Sequence, residues 1–429
     1  MPTSTERLNQ FFAARAVHQA RCDIAITASR DDAARAEALA ADAAGRATFL
    51  LAVKANVDVE GWVTHAGSQA MLATSPAESD APFVAALRRA GAIVVAQTNM
   101  TEFAYSGLGM NSHFGTPTTP LDDRVNRIAG GSSSGSAVAV ALGLVDAAVG
   151  TDTSGSVRLP AAFCGVVGFM PSPGRYSTAG IVPLATSFDV PGLITPTVRR
   201  CRAIDAAMTG GPPPRSGADR RETTVIVAEG LRADDTSDEV AAAFEAAVDA
   251  LQRAGCIVVR RRLPYLDEIG DIARAGGIVA AEAHAWHAPL LATSAHLYDP
   301  RIRARIEGGA ALATSDYLRA KTRLAELAAR YHADTAGADV MLSPSAPVLP
   351  PAITELDDAE GYTRLGMLVI RFTEIANRIG VPSISLPLPA RDGRRQPVGL
   401  LLHGHRGRDE ALLATASRIA SIVGPNEAR

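Results

Sequence analysis

With 429 residues, a formal net charge of −3 and 20% charged side chains, the chain is long enough for a large core and lacks the basic excess of a nucleic-acid-binding surface. Hydrophobic residues make up 47%, yet no uncharged run reaches the roughly 20 apolar residues that span a bilayer, and the opening M-P-T-S-T-E-R-L-N-Q lacks the basic start and apolar run of a secretory signal. Four scattered cysteines, Cys22, Cys164, Cys201 and Cys256, show no metal spacing and fit a reducing, cytoplasmic setting.

Residues 3–45 are rich in Ala, Glu, Asp and Arg and read as a helical layer, with 33–44 almost pure helix former. A strand over 48–53 then delivers Lys54 at its end. Residues 80–91 read as a helix with Asp80 as N-cap, Pro82 in the first turn and Gly91 after the end. Ile93–Ala96 follows as a buried strand, and this alternation argues for an α/β sheet. Residues 98–116 are polar, irregular and glycine-containing. Gly107-Leu108-Gly109 is too short for a dinucleotide fingerprint and opens no helix.

Two loops of small residues come next: Gly130-Gly131-Ser132-Ser133-Ser134-Gly135-Ser136 and Gly150-Thr151-Asp152-Thr153-Ser154-Gly155-Ser156. An apolar helix over 136–144 and a short strand over 147–149 lie between them, and 160–167 returns to the core. The first loop lacks the lysine of a phosphate-binding P-loop. Residues 171–183 read as a turn-rich loop and 188–192 as a tight corner. Pro212–Gly217 is the strongest linker signal. A second unit follows, with a strand at 224–227, a helix at 237–254 and a strand at 256–259. Helices fill 268–335, and 339–342, 383–386 and 398–402 are apolar strands.

The paired Gly/Ser loops resemble the core of the amidase signature family, serine hydrolases that cleave carboxamides with a Ser-Ser-Lys triad. Ser132 follows Gly130-Gly131, Ser156 lies 24 positions on, and Lys54 stands after an apolar strand in Val53-Lys54-Ala55-Asn56-Val57-Asp58. The resemblance covers roughly 48–424. It implies a single large α/β domain over 46–429 behind the 1–45 helical layer. A catalytic core at 48–200 is extended by 201–429, with a mixed, mostly parallel sheet covered by helices on both faces. It also implies catalysis by Lys54, Ser132 and Ser156, a cis peptide before Ser132, and an oxyanion hole from the N–H groups of Thr153, Ser154, Gly155 and Ser156.

Chemically this asks for a neutral Lys54, which burial would favour, a relay through Ser132, and attack by Ser156. Ser134 and Ser154 stand where the family commonly has glycine, and Ser154 would be poorly tolerated if its φ were positive. Asp152 and Arg158 read as the pair that holds the loop. Met110, Ser133, Tyr298 and Arg301 are candidate substrate contacts, with Arg371 and Asn377 behind them. His284 and His287 share a helix face without a third ligand, so no metal is expected, and no cofactor. Cys164 reads as packed, and His403 and His405 as strand-end residues.

The implied substrate is a small carboxamide, released as acid and ammonia, with no nucleic-acid or membrane partner. A homodimer follows only by resemblance, and an accessory subunit stays open. Two alternatives share the motif: the glutaminase subunit of a tRNA-dependent amidotransferase, and a catalytically silent amidase-like partner.

Overall fold

Short apolar runs that end at glycine, proline or polar residues make strands buried on both faces. The computed structural model describes residues 2–122, 124–211, 222–231, 233–275, 277–389 and 397–424, and every structural statement concerns these. The expected linker at 212–217 lies outside them.

Eleven strands form one sheet. They are β1 (Ile26–Ser29), β2 (Phe49–Lys54), β3 (Ala92–Thr98), β4 (Ala147–Asp152), β5 (Val167–Met170) and β6 (Val190–Thr195), then β7 (Thr224–Glu229), β8 (Ile257–Arg262), β9 (Val340–Pro344), β10 (Ser383–Pro387) and β11 (Gly399–His403). Their order across the sheet is β1-β3-β2-β4-β6-β5-β10-β11-β9-β7-β8.

The sheet is mixed, as expected, but it is not mostly parallel. Parallel pairing is confined to β3-β2-β4 and β9-β7-β8. The other neighbours, including the whole centre from β4 to β9, run antiparallel. The parallel groups are where a helix connects successive strands, as Pro82–Arg89 joins β2 to β3 and Asp238–Arg253 joins β7 to β8. In the centre, helices also join β4 to β5 (Arg158–Cys164) and β9 to β10 (Ala359–Leu368 and Glu374–Ile379), but those strands are not neighbours in the sheet, and β5 and β6 were not visible as strands in the sequence.

Side chains alternate across each strand. Phe49, Leu51 and Val53 of β2 face one hydrophobic cluster, while Leu50 and Ala52 face another. The first cluster runs under nearly the whole sheet and is closed by Val198–Thr209, Asp238–Arg253 and Asp409–Val423. The opposite face is covered by Ser4–Val17 and Ser134–Ala141 at one end and by Tyr265–Arg274 and Thr314–Asp334 at the other.

Local signals mostly hold. Ser237 caps its helix by accepting from the Val240 N–H. Asp80 does not cap: the N-cap is Ala81. Asp80 instead accepts from the Glu60 N–H at 3.0 Å and pairs with Arg88 at 2.7 Å, closing the helix back on the preceding loop. The helix after the first loop begins at Ser134, two residues earlier than expected.

Candidate active site

The site forms where β2 and β4, parallel neighbours, end side by side. Lys54 is the last residue of β2, and Thr151 and Asp152 close β4. Lys54 is fully buried. Its Nζ lies 2.7 Å from Ser132 Oγ and 2.8 Å from Thr151 Oγ1. Burial pulls its pKa down to about 7, against the upward pull of Asp152 and Asp189. Asn56 Nδ2 donates to the same Thr151 oxygen at 3.2 Å, so a hydroxyl unnoticed in the sequence holds the amine.

The two Gly/Ser loops are stitched together one residue past Ser132. The Ser133 N–H donates to the Ser156 carbonyl at 3.2 Å, and the Ser133 hydroxyl donates to the Thr151 carbonyl at 3.4 Å. The Gly131–Ser132 peptide is cis. A Cβ on Gly131 would run into the Gly109 backbone, so the loop packs too closely for any side chain there.

The second loop turns on Gly155, whose φ of +120° no L side chain takes easily. Ser154 is free of that demand, because the only non-glycine positive φ angles among the described residues are at Ala66, Phe103 and Ala104. The concern about serine at 154 is thereby removed. Its hydroxyl accepts from Arg378 at 2.8 Å, and its carbonyl accepts from the Thr373 hydroxyl at 2.8 Å. The Gly155 N–H is already committed to Asp152 Oδ1 at 2.7 Å, so it drops out of the expected oxyanion set.

Asp152 and Arg158 form a fully buried, two-pronged ion pair at 2.8 and 3.0 Å. Burial alone would raise the Asp152 carboxyl, but the Arg158 charge and hydrogen bonds outweigh it and hold the group below the usual carboxylate range. Arg158 also donates to the Thr373 carbonyl and to Asn377 Oδ1. Asn377, a candidate substrate contact, is therefore a strut: its Nδ2 donates back to Asp152. Arg371, the other, pairs with Asp235. Asp189 accepts from the Thr153 hydroxyl at 2.5 Å and from two backbone N–H groups, and burial raises its pKa to about 6.

Ser156 opens on a cavity of about 310 Å³, together with Thr153 and Ser154. The irregular segment supplies one wall through 104–107, and Arg305, Glu374 and Arg378 supply its charged groups. None of the four candidate substrate contacts lines it. Ser133 is sealed under the second loop, and Met110 packs into an apolar cluster with Leu108 and Phe163. The buried Tyr298 hydroxyl meets His287 Nδ1 at 3.0 Å. Arg301 binds Asp299 and lies over the Tyr362 ring at 4.7 Å. His287 packs edge-on against Phe103, and burial lowers its pKa to about 4. Cys164 lies in the core, its thiol pushed up to about 12 by burial.

The residues that sequence reasoning missed are Thr151, Asp189, Thr373, Arg305 and Arg378. A signal existed for the last: Glu374, Asn377 and Arg378 interrupt an otherwise apolar run at helical spacing, as inward-facing polar groups do.

The family model for Amidase matches residues 7–413. A 2-amino-5-chloromuconic acid deaminase of Comamonas testosteroni is 36% identical over 88% of this chain and 82% of its own. An indoleacetamide hydrolase of Pseudomonas savastanoi is 31% identical over 86% and 82%. A crystal structure of an amidase superposes with a TM-score of 0.87 at 32% identity, covering 99% of this chain and 97% of that one. The chain belongs to the Amidase family and is a hydrolase of amide carbon–nitrogen bonds.

Proposed function

We propose that this enzyme hydrolyses a small carboxamide to acid and ammonia through an acyl-Ser156 intermediate. Neutral Lys54 takes the Ser132 proton as Ser132 takes that of Ser156. Ser156 Oγ attacks the carbonyl carbon, and the oxyanion is held by N–H groups of Thr153, Ser154 and Ser156. The relay then runs backwards: Ser132 protonates the departing nitrogen, ammonia leaves, and a water activated by the same pair releases the acid. One observation carries this reading. A desolvated amine, drawn down to about 7, sits 2.7 Å from Ser132 Oγ in a loop stitched to Ser156 at the cavity wall. A solvated lysine, with a pKa near 10.4, would be protonated and useless as a base.

The experiment is ammonia release by the purified protein over a panel of small amides, glutamine included, with Ser156→Ala and Lys54→Ala beside it. Ser156→Ala is expected to lose on the order of 10⁴-fold or more in kcat, and Lys54→Ala about 10²–10⁴-fold. A fluorophosphonate should label Ser156 in the wild type. Turnover that survives either substitution, or no labelling, overturns the assignment. Turnover of glutamine alone would point to an amidotransferase subunit.

A further inference from the structure

The helix Pro300–Glu307 carries three arginines, Arg301, Arg303 and Arg305. Two are neutralised within the helix or at its cap: Arg301 by Asp299 at 2.8 Å and Arg303 by Glu307 at 2.9 Å. Arg305 is not. Its Nη1 donates to the Tyr105 carbonyl at 2.8 Å and its guanidinium lies over the Tyr105 ring at 4.5 Å, but no carboxylate of the described residues pairs with it. It is half-buried and lines the same cavity as Ser156.

The cavity's other charges do not answer it. Among its lining residues the one carboxylate is Glu374, which lies 3.6 Å from Arg378. Arg378 spends its donors on the Thr153 carbonyl at 3.0 Å and the Ser154 hydroxyl, so it clamps the loop. Leu184, Val279, Met367 and Ile370 give the same cavity apolar lining. A guanidinium in such a cavity presents a donor fork that matches a carboxylate, and the low polarity around it strengthens the pair.

We propose that Arg305 binds a carboxylate on the substrate, which makes the enzyme's substrates anionic: amides whose acyl chain carries a carboxylate across a short apolar spacer, such as the monoamides of C4–C6 dicarboxylic acids. This rests on the acyl-Ser156 reading for the position of the amide. Arg305 holds the far end of the chain while the carbonyl lies at the serine loop, and a neutral amide of equal length leaves the guanidinium without an anionic partner.

The test has two arms. In turnover, succinamate and glutaramate are compared with butyramide and valeramide for the wild type and Arg305→Gln. The wild type should favour the anionic amides in kcat/KM by roughly tenfold or more. The substitution should remove that preference by raising KM for the anionic amides, with a much smaller effect on the neutral ones. In binding, glutarate and valerate are titrated into Ser156→Ala protein, with and without Arg305→Gln. Only glutarate should bind, and only with Arg305 present.

Equal or better turnover of neutral amides, or a substitution that lowers both classes alike, overturns the inference while leaving the hydrolase reading intact. Failure of every amide to turn over, with glutarate still bound through Arg305, sinks the hydrolase reading and keeps the carboxylate site. Failure of glutarate to bind overturns the site.

Discussion

At the scale of the residue, a lysine amine held among apolar strands must do without hydration, and that cost sets both its chemistry and its pH dependence. With the folded pKa drawn down to about 7, kcat/KM should rise with pH through that value, because only the unprotonated amine accepts the Ser132 proton. Stability should move the same way. An unfolded lysine keeps its proton to about pH 10.4. Between about 7 and that value the unfolded chain binds more protons than the folded one, so stability rises with pH across the window. Below it both states are charged, and the folded state bears the buried cation. Urea denaturation at pH 7 and pH 9 should show a gain that Lys54→Met abolishes; an equal gain in the variant would assign it elsewhere. Lys54, Ser132 and Ser156 were singled out in the sequence through the resemblance to the amidase signature family, by the order and the 24-residue spacing of the motifs. Arg305 was not, because choosing it over Arg301 depends on which of three alternating arginines meets the cavity, and helix rotation is fixed by packing rather than by spacing.

At the scale of the element, the serine loop is held from outside. The short helix Glu374–Ile379, with Thr373 before it, contributes the Thr373 hydroxyl and carbonyl, Asn377 and Arg378 to the loop and to its buried ion pair. Replacing Arg158 with Met would leave Asp152 charged and fully buried, a loss of about 3–5 kcal/mol. Chemical denaturation should report that drop, and a stability unchanged within error would mean that Asp152 takes up a proton instead. The ion pair could be read from the sequence because its partners lie six residues apart, whereas the struts that complete it stand more than 200 residues away. Two central strands escaped for local reasons. β5 has only four residues, and β6 carries Pro191, which argues against a central strand because it has no N–H for the ladder. β6 nevertheless pairs on both sides, with β4 and β5.

At the scale of the whole molecule, the α/β class followed from alternating helix and strand signals and the helices on both faces from the family resemblance, but the antiparallel centre followed from neither, since strand direction there depends on pairings between distant segments. The sheet is a single layer built from two lengths of chain that meet where β5 pairs with β10. A fragment ending at residue 211 would keep β1 to β6 yet expose the β5 edge and strip Arg158 of Thr373 and Asn377. Such a fragment should be insoluble or aggregated on expression, and a folded, monomeric fragment by size exclusion and circular dichroism would refute this. The same seam orders events during synthesis. Asn377 leaves the ribosome 219 residues after Arg158, a delay of roughly 10–45 s at ordinary elongation rates. Throughout that interval the nascent chain carries both Gly/Ser loops but not the helix that clamps the second one, so that loop gains its final supports only near the end of translation.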